Sequence, residues 1–186
     1  MAEYERVGLA AARIEDIVAA AGVSWGSFYR YFPRKEDVLL EAGAALCRAF
    51  AAAAAEGMAA GRPTAESIEM AFQALQTVGP QNVTLRVALF DEVVTHPGRL
   101  SAYVDEDVVT FVDAATAILA EGQRRGDVRD DEPARSLAIV LVHAVVSSAW
   151  REAVLGRPAH PTGQPATPLS GLALQTVLRG IRPQGA

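Results

Sequence analysis

Ala21-Gly22-Val23-Ser24 constrains this 186-residue chain more than any other stretch. On its N-terminal side Ile14, Ile17 and Val18 recur at helical spacing and run into Ala20 and Ala21, so residues 13–21 carry one apolar helical face. Gly22 sits where that helix must end, and glycine accepts the left-handed backbone that a sharp helix-to-helix turn needs. Val23 is expected as an apolar plug between the two helices. Ser24 is suited to cap the next helix, because its hydroxyl can accept from a free N–H of the first turn. In that second helix Phe28 and Phe32 share a face at i and i+4 and should pack back on Ile14, Ile17 and Val23. Ser27, Arg30 and Tyr31 fall on the opposite face, with Tyr29 at the edge. Pro33 stops the helix, and Lys35-Glu36-Asp37 opens another.

Two helices around a tight turn can lay the second one in the major groove of DNA. The Tyr-x-Tyr-Phe-Pro-x-Lys-Glu-Asp string from Tyr29 to Asp37 strengthens this reading. It places two phenol hydroxyls, an arginine and a lysine around one short helix, a set suited to phosphates and base edges. The formal net charge of −5 is not that of a general nucleic-acid binder, yet residues 22–35 hold Arg30, Arg34 and Lys35 and no acid. A local basic patch of this kind gives salt-sensitive binding of modest nonspecific strength.

In residues 8–40 the chain resembles the TetR family of bacterial transcriptional regulators. Gly8, Ile14, Ile17, Ala21-Gly22-Val23-Ser24, Gly26-Ser27, Tyr29, Tyr31-Phe32 and Lys35-Glu36 stand in register with the family pattern. The resemblance implies an all-α chain, with a helix-turn-helix head over residues 1–45 and a helical ligand-binding and dimerisation region over 46–186. It implies that Ser24, Trp25, Gly26 and Ser27 form the first turn of a recognition helix nearest the bases. It also implies that Tyr29 and Lys35 hydrogen-bond phosphates, and that Arg30 and Tyr31 reach groove edge or backbone. Trp25 departs from the small or cationic residue usual there; it either touches thymine methyls or covers the helix start. Arg13 replaces a common Thr or Ser, so a phosphate contact is retained while the helix cap is lost. Family members place an amphipathic helix of some four turns before Gly8, where this chain has seven residues. Either the start is truncated, or residues 2–12 form a short substitute with Tyr4 and Val7 as plugs. The expectation is that Ile14, Val18, Phe28 and Phe32 stay partly exposed, at roughly 25 cal/mol per Å² of apolar surface left in water, and that the head is weakened.

The rest of the chain reads as helices: Lys35 to about Gly57, Thr64 to Val78, a segment capped by Asn82, a long helix from about Leu100 to Gln123 interrupted at most locally, Pro133 to Leu155, and Leu169 to Ile181. The helix after Pro133 is apolar nearly all round, which is the pattern of one buried on most sides. With the last helix it is expected to pair with a second copy in a four-helix interface, giving a homodimer. The resemblance implies a pocket for a small, largely apolar effector. Candidates to line it are Phe72, Leu75, Phe90, Val94, Tyr103, Val104, Phe111, His143, Ser147 and Trp150. His143 and Ser147, four apart on one helix, put two polar groups in the same direction.

Catalysis is not expected. His96, His143 and His160 have no metal-ligand spacing, no glycine-rich phosphate loop occurs, and the single Cys47 excludes an internal disulfide. No metal or cofactor is expected. The apolar run Leu137 to Val146, broken by His143, is short of the ~20 residues a bilayer span needs. No leader pattern opens the chain, and a cytoplasmic protein without membrane attachment is expected. Double-stranded DNA is the expected macromolecular partner. The alternative is a dimeric small-molecule-binding module whose head no longer grips DNA.

Overall fold

The computed structural model describes residues 2–95, 110–156 and 167–183. Nine α-helices and no strand occur among them: α1 Ala2–Ala11, α2 Ile14–Ala21, α3 Trp25–Tyr31, α4 Asp37–Ala59, α5 Thr64–Val78, α6 Val83–Thr95, α7 Phe111–Arg125, α8 Ala134–Leu155 and α9 Leu169–Gly180. The chain divides into two compact units. The first comprises Met1–Leu46 and Gly79–Val108, the second Cys47–Val78 and Val109–Ala186.

The first unit has its own core. Tyr4 and Leu85 are fully buried there, together with Ala12, Ile17, Val18, Phe28, Val38, Leu39 and Leu89. Val7, Ile14 and Phe32 pack against it half-buried. The expected exposure of this face is therefore corrected for Val18 and Phe28, each 5% exposed. Two elements close it. The short α1 supplies Tyr4 and Val7, and α6, far along the chain, supplies Leu85 and Leu89. α1 packs directly on α6. Part of this apolar face is thus removed from water by a helix remote in sequence.

The second unit is built on α7, α8 and α9, with α5 against α7. Ile68, Ala71, Ala115, Ile118, Leu119, Ala138 and Leu141 form its dry centre. α8 and α9 are antiparallel. The Glu152 carboxylate accepts from the Leu169 N–H at one end (2.6 Å), and the Arg129 N–H donates to the Ile181 carbonyl at the other (2.8 Å). Asp127, just past α7, caps α5: its carboxylate accepts from the Thr64 N–H (3.0 Å) and the Thr64 hydroxyl (2.9 Å). Gly122 on α7 lies so close to Thr64 and Val128 that no side chain fits there.

Two expectations are corrected, the start of α4 and the role of Val23. α4 begins at Asp37, and Lys35 and Glu36 lie in the turn before it. The helix expected from about Leu100 to Gln123 has a break at Thr110, which is extended (φ −68°, ψ 163°) and whose hydroxyl accepts from the Asp113 N–H as the N-cap of α7; the segment 96–109 lies outside the described residues. Val23 is 43% exposed and is not the expected plug; Phe28 is the buried side chain that α3 contributes to the core, with Phe32 packed against it. By length and composition α4 and α8 are long and apolar enough to cross a membrane, a property shared with the core helices of helical bundles.

Candidate nucleic-acid interface

The turn between α2 and α3 takes the form its residues dictate. Gly22 adopts φ 65°, ψ 28°, its N–H reaches the Ala19 carbonyl, and the Val23 N–H reaches that of Val18 (3.0 Å). This paired closure satisfies carbonyls at the end of α2 that have no helical partner. Ser24 is extended, and its hydroxyl oxygen accepts from the Ser27 N–H (3.1 Å) while donating to the Ser27 hydroxyl (3.0 Å). Arg13 makes no side-chain cap to α2, as its replacement of a hydroxyl residue leads one to expect; its guanidinium pairs with Glu15 at 3.7 Å and is well exposed.

α3 buries Phe28, which meets Phe32 at 5.4 Å between ring centroids. Its other side faces outward. Ser24, Trp25, Gly26, Tyr29, Arg30 and Tyr31 are exposed and Ser27 is half-buried. Trp25 tilts against Tyr29 at 6.0 Å, and Tyr29 stands edge-on to Phe28 at 5.5 Å. Tyr29 therefore rests on the core side chain beneath it while remaining 43% exposed. The Arg30 guanidinium lies 5.0 Å from the Tyr31 ring centroid and donates to the Tyr31 hydroxyl (3.3 Å). This is an aromatic and cationic ledge with donors at its rim, on a helix held from behind by a closed core.

The turn after α3 is held by three groups. The Asp37 carboxylate, itself buried, accepts from the Arg34 N–H (2.8 Å). The Arg34 guanidinium sits 3.6 Å from Asp37 and 3.9 Å from Glu92 of α6. The Tyr4 hydroxyl donates to the Lys35 carbonyl (2.8 Å). Burial, with the Glu36 charge adding to it, pushes the Tyr4 phenol up to about 12, so it stays a donor at every pH near neutrality. Tyr4's reach to Lys35 and the tie from Arg34 to Glu92 have no signature in local sequence spacing. Their only sequence cue is a tyrosine among small and charged residues near the N-terminus.

The residues singled out for an effector are not all brought together. Phe72 and Phe111 each pack edge-on against Phe50, at 5.0 and 5.4 Å, and Leu75 lies against the same core. Phe90 is half-buried on α6, in the other unit. Tyr103, Val104 and the Val94 side chain lie outside the described residues. Trp150 is half-buried on α8. His143 and Ser147 lie on the exposed side of α8, and the His143 Nδ1 is 2.8 Å from the Ile139 carbonyl. The side of α8 turned inward is that of Ala138, Leu141, Val142 and Val145. Among the described residues no group of three or more His, Cys, Asp or Glu side chains is placed to hold a metal ion. Cys47 is buried, and that burial raises its thiol pKa.

Residues 1–42 match the family model for bacterial regulatory proteins of the tetR family. No curated protein matches the chain. Among solved structures, the chain is similar to FadR of Thermus thermophilus, a TetR-family transcriptional repressor crystallised with lauroyl-CoA. The TM-score is 0.70 at 25% identity, over 95% of this chain and 86% of that one. With the helix-turn-helix geometry of α2 and α3, the first match gives residues 1–42 the N-terminal domain of the TetR family of bacterial regulatory proteins, and the second gives the chain the fold of a TetR-family transcriptional repressor.

Proposed function

We propose that this regulator binds a palindromic operator as a homodimer, acts as a repressor, and is released by a small, largely apolar effector. The observation that carries the DNA-binding part is the outward ledge of α3, from Ser24 to Tyr31, seated on a closed core. A head with a collapsed or open core would not hold such a ledge in register, and the burial of Val18 and Phe28 argues against a lost head. In this reading Ser24, Trp25, Gly26 and Ser27 enter the major groove, Tyr29 and Lys35 hold phosphates, and Arg30, Tyr31 and Arg13 lie along the groove edge and backbone.

The dimer rests on α8 and α9. Val140, His143, Ser147 and Val154 recur at helical spacing along α8, with Ile139 and Leu155 beside them. The apolar members are 42–64% exposed, as is Leu172 of α9 at 51%. An antiparallel helix pair with such a stripe is self-complementary about a two-fold axis, which is the geometry of a four-helix interface. His143 and Ser147 then belong to the seam. Phe72, Leu75, Phe111 and Trp150 are the effector candidates on the second unit. FadR's complex with lauroyl-CoA makes a long-chain acyl thioester the first compound to try. We further propose that the protein acts in the cytoplasm without membrane attachment.

The test is electrophoretic retardation of the DNA upstream of its own gene, with and without lauroyl-CoA. The reading expects a shift by a dimer, abolished by Tyr29→Ala and relieved by the effector. No shift at low salt by a dimeric protein speaks against it.

A further inference from the structure

We propose that Tyr4 is a positioning residue for DNA binding: it fixes the Lys35 peptide, and with it the direction in which the Lys35 ammonium meets a phosphate. This rests on the DNA-binding reading above. Lys35 is not on a helix; it lies in the turn between α3 and α4, where backbone direction is not set by a helical ladder. The Tyr4 ring is fully buried among the side chains that support α3, and its hydroxyl donates to the Lys35 carbonyl at 2.8 Å. A rigid aromatic ring locked in a dry core gives that hydroxyl one position. The peptide it holds is therefore tied to the same core as Phe28. On the neighbouring residue the Arg34 N–H is fixed by Asp37 and the Arg34 guanidinium by Asp37 and Glu92. Arg34 is thus part of the framework of the turn, and the Lys35 peptide is tied into the same framework through Tyr4. The charge that grips the phosphate and the helix that reads bases are held in one mutual geometry by Tyr4, a residue that touches no DNA.

The experiment compares wild type, Tyr4→Phe, Lys35→Met and the double variant on a duplex that the wild type selects from a random pool. Affinity is measured across a range of salt. Losing one phosphate contact per head lowers the slope of log K against log salt by about 0.9, or about 1.8 for a dimer. The expected result is that Tyr4→Phe weakens binding about tenfold, lowers the slope as Lys35→Met does, and adds little to Lys35→Met in the double variant. Leu89→Ala, which loosens the same core but leaves the Tyr4 hydroxyl in place to bond the Lys35 carbonyl, serves as the structural control and should leave the slope unchanged. A Tyr4→Phe slope equal to wild type, or full additivity with Lys35→Met, overturns the inference while leaving DNA binding standing. Failure of the wild type to bind any duplex at low salt removes both.

Discussion

Tyr4 of α1 and Leu85 of α6 are both fully buried in one apolar core, although about eighty residues separate them in the chain. That core carries the recognition helix. Leu85→Ala should therefore cost about 2–5 kcal/mol, and it should do so in the head. Hydrogen exchange is the measurement: amides of α2 and α3 should lose protection together, while those of α7 and α8 keep theirs. Equal loss in both units would contradict this division.

The Tyr4 hydroxyl gives the head a pH signature. Its folded pKa of about 12 lies above the ordinary value of 10.0, so the native state favours the protonated phenol. Its contribution is complete below about pH 10 and is lost as pH rises through about 12. Tyr4→Phe should be less stable than wild type by about 0.5–1.5 kcal/mol near neutrality, the net worth of one partly buried hydrogen bond. That gap should narrow above about pH 10. Urea unfolding of both proteins across this range reads it; a gap independent of pH would show that the phenol does not titrate with folding.

Asp127 and Gly122 make a second testable joint. Asp127→Ala removes the side chain that caps α5 through Thr64 and should cost about 1 kcal/mol. Gly122→Ala drives a methyl group into Thr64, Val128 and Asp127 and should cost about 1–3 kcal/mol by overpacking. Because both act on the same contact, the double variant should fall short of the sum. Thermal melts of the three variants decide it.

Val140 on α8 is 58% exposed. Val140→Glu should leave the melting of an isolated subunit almost unchanged and place a charge in the seam of the proposed dimer. Sedimentation at micromolar concentration should then show a dimeric wild type and a monomeric variant. A variant that stays dimeric would move the self-association surface elsewhere.

The head was legible because its signals are local. Gly22 needs a left-handed backbone, Ser24 needs a free N–H three residues on, and Phe28 and Phe32 share a face; each is a matter of neighbours along the chain. The closing of the head was not legible in this way. Leu85 and Leu89 mark an amphipathic helix in sequence, but nothing in their spacing says that they cover Tyr4 and Phe28. Val23 reads as a plug because it is apolar and sits in a turn, but it is 43% exposed, and the buried apolar contacts of this region come from Ile17, Val18 and Phe28. On α8 the pattern was uninformative for a different reason. A helix apolar nearly all round has no face to read, so the sequence could not tell that Leu141 and Val145 turn inward while Val140, His143 and Ser147 turn out. The expected start of α4 at Lys35 falls before the observed one at Asp37, since Pro33 and the acids after it signal a helix start without fixing its first residue.

The most direct measurement is the footprint and stoichiometry of the protein on a duplex it selects from random DNA. The expected result is two protomers per duplex, protecting two half-sites related by a dyad and centred about 34–36 Å apart, one turn of the double helix, or a multiple of that spacing, with protection lost in Tyr29→Ala. A dimeric wild-type protein that selects no sequence and protects no phosphate, even at low salt, would contradict it.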